Sequence, residues 1–151
     1  MAEGDFVLFD QYIEDKGLKK HNLDTDTFKL ALIDSVQTPV KGSTDPRWGA
    51  GGTVNFDTDE VTAGGNYVAE GTDIVSTYSQ TSGTATFDGA DISWAVNASN
   101  PTDARWAILY NSTSAGKECV GFVDLGAIFD MTGGDLDINL NASGLYAAVA
   151  A

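Results

Sequence analysis

The chain has 151 residues and a formal net charge of −14, from 22 Asp and Glu against eight Lys and Arg. A chain of this length buries roughly 68–70% of the surface that its unfolded form exposes, so it can build a core without a disulfide or a structural metal. Its single cysteine excludes an internal disulfide, and its single histidine excludes a histidine-rich zinc site. The acid excess argues against nucleic acid as a partner, because binding a phosphate backbone requires clustered Lys and Arg.

The N-terminus and the hydropathy of the chain predict neither secretion nor a membrane partner. The first residues, MAEGDFVLFD, contain acids in place of the Lys and Arg that open a secretory signal. No stretch approaches the roughly 20 apolar residues that span a bilayer. We therefore expect synthesis in the cytoplasm and no role at a membrane.

Segment 5–22 (DFVLFDQYIEDKGLKKHN) has the pattern of an amphipathic helix, with Asp5 as its cap and Gly17 as its end. The apolar residues on its face are Phe6, Phe9 and Ile13, with Tyr12 beside them. The run FVLF places four apolar residues side by side, which is more than one helix face can bury against its own domain. The helix therefore either docks against a neighbouring molecule or closes one end of a β-fold.

Strand patterns occupy most of the remaining chain, and Gly, Asn, Asp and Pro separate them as turn residues. The predicted strands are 27–34, 73–80, 84–87, 92–96, 104–111, 119–125, 135–141 and 144–149. In 135–141 (DLDINLN) apolar and polar residues alternate, which predicts one buried and one solvated face. By contrast, 104–111 contains WAILY, which is apolar on both faces and must be covered twice. Segment 35–71 reads as a long ordered excursion with short strands.

The pattern predicts a mainly β protein with one N-terminal α-helix. Many short antiparallel strands favour a β-sandwich or jelly-roll-like architecture. We expect a single domain over 1–151, with a helical segment at 1–22 and the β-sandwich at 27–151.

The inventory of reactive residues predicts a protein that is not an enzyme and needs no cofactor or metal. His21 follows a lysine-rich helix end (Lys16, Lys19 and Lys20) and is expected on the surface, where it could not serve a catalytic triad. Cys119 heads an apolar strand and is expected to be a buried, inert thiol. Acidic clusters at 24–26, 57–60 and 135–137 match no calcium loop and identify no glycosidase pair, so we expect solvated turns.

Several stretches, in this order, resemble small virion proteins of tailed bacteriophages. They are TFKLALID (27–34), PRW (46–48), DEVTAGGNYVAEG (59–71), TATFDGADISW (84–94), RWAILYN (105–111), VGFVDLG (120–126) and GDLDINLNASGL (134–145). The resemblance covers most of the chain from residue 27 onward. It implies a structural part of the particle, of the kind represented by head decoration or cement proteins, and it carries no catalytic motif.

The leading hypothesis from the sequence is therefore a capsid decoration protein, made in the host cytoplasm and located in the virion. Its expected partners are the major capsid protein and copies of itself, for example as a trimer on a local threefold. The expected contact residues are Phe6, Phe9, Tyr12, Ile13 and Trp48.

Two alternatives remain open. One is a tail component of the tube or terminator type. The other is a module that binds a host surface or a carbohydrate through Trp48, Tyr67 and Tyr78.

Overall fold

The computed structural model describes residues 4–141 and 143–151, and these residues form twelve β-strands, one α-helix and one 3₁₀ helix. The strands are β1 (Phe6–Leu8), β2 (Phe28–Ile33), β3 (Pro46–Arg47), β4 (Val54–Asn55), β5 (Thr72–Asp73), β6 (Ser76–Thr81), β7 (Thr84–Gly89), β8 (Ile92–Trp94), β9 (Ala104–Asn111), β10 (Cys119–Phe129), β11 (Leu136–Ile138) and β12 (Tyr146–Val149). The helix α1 spans Gln11–Gly17, and the 3₁₀ helix spans Phe56–Asp59. The predicted class is confirmed, because the chain is mainly β with one helix and several antiparallel sheets.

A central antiparallel sheet of five strands, in the order β1-β10-β9-β2-β5, organises the fold. Its middle strand β9 is buried along nearly its whole length. Successive side chains of a strand point to opposite faces, so Leu109 belongs to one apolar cluster, and Ile108 and Tyr110 belong to another. We call these clusters the first core and the second core. The prediction that WAILY is covered on both faces is confirmed.

The first core lies between the central sheet and two smaller antiparallel sheets, in a sandwich-like arrangement. One small sheet has the order β12-β7-β6 and is called the hairpin sheet below; the other pairs β8 with β11. The rings of Phe28 on β2 and Phe87 on β7 approach to 4.9 Å between centroids. On β11, Leu136 and Ile138 are buried, whereas Asp137 between them is exposed. The predicted alternation in this segment is therefore confirmed.

The second core lies on the opposite face of the central sheet, and the excursion after β2 covers it. Trp48 stacks on Tyr110 of β9, with ring centroids 5.1 Å apart and an interplanar angle of 11°. Phe56, in the 3₁₀ helix, is fully buried in the same core. The excursion also contains the short parallel pair β3 and β4. It is ordered and carries short strands, as predicted.

The prediction of one helix over 5–22 is wrong, because only Gln11–Gly17 is α-helical. The residues before it form β1, which pairs with β10 in antiparallel register. As a strand, FVLF sends Phe6 and Leu8 to the first core, and Val7 and Phe9 to the second core. This alternation packs all four apolar residues against a core, with Phe9 fully and the other three partly buried, which one helix face could not do. Asp5 is accordingly no helix cap.

The predicted strand 73–80 is two strands in different sheets. After Asp73 the chain leaves the central sheet, and it enters the hairpin sheet at Ser76. Between them, Ile74 is buried in the first core and Val75 is exposed. In the sequence, Ile74 and Val75 continue the pattern of the predicted strand. The pattern of neighbouring residues does not indicate which sheet a residue joins.

The α-helix has seven residues, and no helix in the described part of the chain is long and apolar enough to cross a membrane.

Gly121 of β10 allows β1 to pack closely against β10. A Cβ atom at this position would overlap the ring of Phe6 and the carbonyl oxygen of Val7. We expect Gly121→Ala to lower the free energy of unfolding by about 1–3 kcal/mol, because β1 would have to shift away from the sheet. Chemical denaturation measures the difference.

Gly133→Ala is the matched control for this substitution. At Gly133 the nearest atom to an added Cβ is the carbonyl oxygen of Asp130, at 3.8 Å, so this variant should keep the stability of the original chain. Equal stability of the two variants would contradict the close contact between β1 and β10.

Candidate functional site

The five residues predicted to form one contact surface do not share a surface in the structure. Phe9, Tyr12 and Trp48 are fully or almost fully buried, and Phe6 is partly buried against the first core. Ile13 alone of the five is well exposed, at 56%. Buried side chains cannot anchor a partner without a rearrangement of the core. The N-terminal segment therefore serves the fold, with Ile13 as its exposed apolar residue.

The three aromatic residues proposed as a sugar platform are also not presented together. Trp48 and Tyr67 are buried, and Tyr78 is half-buried against the first core. The hydroxyl of Tyr67 donates to Glu60 Oε1 at 2.8 Å and accepts a bond from the Leu32 amide at 3.0 Å. These rings hold the sheets together and offer no common stacking face to a carbohydrate.

The clustered acids act as hydrogen-bond acceptors for the chain itself. Glu60 Oε1 accepts bonds from the Tyr67 hydroxyl and, at 2.6 Å, from the Glu70 amide. Asp135 Oδ1 accepts a bond from the Val96 amide at 2.6 Å. Within the described ranges, no group of three or more His, Cys, Asp and Glu residues is arranged to hold a metal ion.

His21 is buried, so the prediction of a surface histidine is wrong. Its ring stacks on Tyr12 at 5.2 Å between centroids, and its Nδ1 lies 3.2 Å from Asn111 Nδ2. After α1 ends at Gly17, the chain turns inward, and Lys19 adopts a φ of 62° in this turn. The basic sequence context suggested solvent, but the turn carries the imidazole into the interior.

Asn111 is a buried polar residue whose role the local sequence does not indicate. It is fully buried at the end of β9, and its amide nitrogen lies 2.6 Å from Asp26 Oδ2 and 3.2 Å from the Lys20 carbonyl oxygen. Its Oδ1 accepts bonds from the amides of Thr113 and Ser114. Asn111 thus ties the loop after α1 to the β9–β10 turn.

Cys119 is fully buried in the second core, as predicted. Desolvation by burial raises the pKa of its thiol well above the ordinary value, and nearby carboxylates such as Glu118 add to the shift. Both effects suppress the thiolate, which is the reactive form.

The hairpin sheet is the exposed surface with the most distinctive chemistry. Among the residues of β6, β7 and β12, only Asp88 is charged, although 20% of the whole chain is charged. Phe87 points into the first core, so the side chains that alternate with it point outward. These outward residues are Thr77, Ser79, Thr81, Thr84, Thr86, Asp88, Ala147 and Val149. They form a face of small, mostly uncharged side chains.

No family model matches the chain, and neither a curated protein nor a solved structure is significantly similar to it. The functional argument therefore depends on the residues and on the surfaces that they form.

The buried imidazole predicts that stability falls in mild acid. Desolvation lowers the pKa of His21 from 6.5 to about 4, despite the opposing carboxylates of Glu118 and Asp26. Between these two pH values the unfolded chain binds a proton that the folded chain does not, so stability is lost as pH falls from 6.5 to about 4. The loss attributable to this group should reach roughly 3 kcal/mol.

Unfolding of the original chain and of His21→Asn, measured over this pH range, isolates the effect. The carboxylates titrate in both proteins, so they cancel in the difference. The stability advantage of the original chain should shrink as pH falls; a constant difference would show that His21 does not titrate in this way.

Proposed function

We propose that this protein is a structural component of a tailed-bacteriophage virion, and that it decorates the capsid by binding the major capsid protein. The sequence resemblance to small phage virion proteins supports this assignment. The observation that carries it is the hairpin sheet, an exposed three-stranded surface with almost no charge on a strongly acidic chain.

The composition of this surface is that of an interface core. Contact surfaces between proteins are depleted of charged residues at their centre. Solvated β-surfaces, in contrast, normally carry charges, and free edge strands carry Lys, Pro or bulges that prevent pairing with other chains. Both edge strands of the hairpin sheet, β6 and β12, lack charged residues and proline. Such edges suit a sheet that is covered after assembly.

The backbone of β12 offers a second means of attachment. The Ala150 amide donates to the Gly83 carbonyl at 2.8 Å, on the side of β7. Hydrogen-bonding pairs alternate along an antiparallel ladder, so the amides and carbonyls of Ala147 and Val149 point away from β7. In the described part of the chain, no strand pairs with this edge. A strand from the capsid or from another copy could add there.

Binding alone would stabilise a capsid. Each decoration protein that contacts two shell subunits adds contact area between them, and simultaneous contacts provide avidity that no single contact supplies. The net charge of −14 favours solubility and mutual repulsion of the free chains before they meet the shell.

The copy number of the chain in separated heads and tails tests the proposed role. Particles of the source phage are disrupted mildly, and heads and tails are separated and analysed by quantitative mass spectrometry. A decoration protein should be abundant on heads. Enrichment in tails would favour a tail component, and absence from both fractions would overturn the virion assignment.

A charge on the hairpin sheet should block docking. Val149 is 75% exposed on β12, so Val149→Asp should leave folding intact and weaken binding to undecorated heads at least about tenfold, because an unpaired carboxylate would be buried at the contact. Val36→Asp is the matched control, since Val36 is 78% exposed in the excursion after β2. Co-sedimentation with heads measures both. Equal binding of the two variants would exclude the hairpin sheet as the docking surface.

A further inference from the structure

A groove runs along the open edge of β1. Three cavities of about 600, 410 and 240 Å³ form it, and Gly4 lines all three. Asp5, Phe6 and Val7 also line the largest cavity. Phe6 and Val7 pack against opposite cores, so a cavity that touches both residues lies at an edge of the strand, and β10 occupies the other edge. We call this feature the β1 groove.

The backbone of β1 is unpaired on the side of the groove. The Phe9 amide donates to the Val120 carbonyl at 3.0 Å, and hydrogen-bonding pairs alternate along an antiparallel ladder. The N–H and C=O of Phe6 therefore point away from β10, and no other strand in the described part of the chain pairs with β1. An extended segment in the β1 groove would exchange two hydrogen bonds with Phe6, as an added strand does.

The groove also contacts the segment that follows β11. Asn139 and Asn141 line the largest cavity, and both residues are exposed. Leu140 between them is buried in the first core, which fixes the position of this segment. A side-chain amide both donates and accepts hydrogen bonds, so the two asparagines can bond the backbone of an extended segment that lies beside them.

Two carboxylates without a basic partner line the cavity of about 410 Å³, namely those of Asp5 and Asp137. In residues 4–141 and 143–151, neither carboxylate has a Lys, Arg or His nitrogen within 4.0 Å. Like charges at one cavity repel each other, and both would attract a cationic side chain placed between them. The charge of the groove therefore favours a segment that carries Lys or Arg.

An apolar recess belongs to the same groove. The cavity of about 240 Å³ has Asp137 in its wall, together with apolar residues that pack in the first core: Val123, Leu125, Phe129, Leu136 and Ile138. A dry cavity of about 150 Å³ holds a benzene molecule, so the recess has room for one apolar side chain. Successive side chains of an extended segment point to opposite sides. A segment that alternates basic and apolar residues therefore matches both the carboxylates and the recess.

The groove lies within reach of the surface proposed for docking. Asn141 precedes Tyr146, the first residue of β12, by five positions, so their Cα atoms are at most about 18 Å apart. One partner can therefore contact the hairpin sheet and the β1 groove together. A second copy of the chain is a poor source of the basic segment, because it carries a net charge of −14 and six of its eight Lys and Arg residues are in ion pairs.

We propose that the β1 groove binds an extended, basic segment of the major capsid protein. The segment adds as a strand to β1 through Phe6, places a Lys or Arg side chain between Asp5 and Asp137, and inserts an apolar side chain into the recess. The identity of the partner rests on the proposed function. The chemistry of the groove can be tested on the isolated chain.

The probe for the isolated chain is the peptide acetyl-Lys-Val-Lys-Val-Lys-amide, and the reference is the same peptide with Glu in place of Lys. Each is titrated at neutral pH and followed by ¹H–¹⁵N NMR. The Lys peptide should shift the Phe6 amide signal to a saturating value and slow its exchange with solvent, because strand addition gives this N–H an acceptor. The Glu peptide should do neither. A Phe6 amide that the Lys peptide leaves unchanged would overturn the inference.

Charge variants separate the groove from general attraction between an acidic chain and a basic peptide. Asp5→Asn with Asp137→Asn should weaken binding of the Lys peptide about fivefold, through the loss of two ion pairs. The matched control is Asp24→Asn with Asp57→Asn, which removes the same charge from two exposed carboxylates outside the groove. This control should bind the peptide as the original chain does, and equal weakening of both variants would contradict the proposed site.

Binding to undecorated heads then tests the capsid as the source of the segment. The Asp5 and Asp137 double variant should bind heads about fivefold more weakly than the Asp24 and Asp57 control. If the Lys peptide binds the groove but the two double variants bind heads equally, the capsid segment is excluded while docking through the hairpin sheet stands. If even the original chain does not bind heads, the proposed function fails, and with it the capsid as the partner of the groove.

Discussion

The central sheet is apolar on both faces, and this constraint determines the rest of the architecture. Strands β2 and β9 carry large apolar side chains alternately on each side, so neither face can be left to water. A single covering layer would leave half of these side chains exposed, at a cost of about 25 cal/mol for each Å² of apolar surface. The fold therefore builds two cores, one beneath the smaller sheets and one beneath the excursion that follows β2.

The two cores explain why segments with little apparent pattern are ordered. The excursion contains few apolar residues, but Trp48 and Phe56 suffice to seal the second core because Trp48 stacks directly on Tyr110. Hydrogen bonds fix its path: the Glu60 carboxylate accepts bonds from the Tyr67 hydroxyl and from the Glu70 amide, and the backbone carbonyl of Glu70 accepts a bond from the Tyr110 hydroxyl. Carboxylates that look like a surplus in the sequence are therefore part of the internal hydrogen bonding.

Charge is distributed unevenly over the molecule, and the proposed role uses this distribution. The hairpin sheet is almost uncharged, whereas the whole chain carries a net charge of −14. A partner that covers the sheet would therefore bury few charged groups at the contact. The acid excess elsewhere would meanwhile keep free copies apart through like-charge repulsion. Binding to the capsid and repulsion between free copies would then depend on different parts of the protein surface.

Local pattern by itself determined the class of the fold, the existence of most strands and the need to cover the central sheet twice. Strand periodicity is a short-range property, so β9 and the alternation in β11 could be read directly from the residues.

The tertiary structure alone decided where FVLF goes, which sheet each strand joins and what surrounds His21. FVLF fits either a helix or a strand locally, and only the unpaired edge of β10 made the strand the better solution. The imidazole is buried because the chain turns after Gly17 towards Asn111, a residue 90 positions away in sequence. Contacts between segments so far apart depend on the packing of the whole chain, which local residue patterns do not encode.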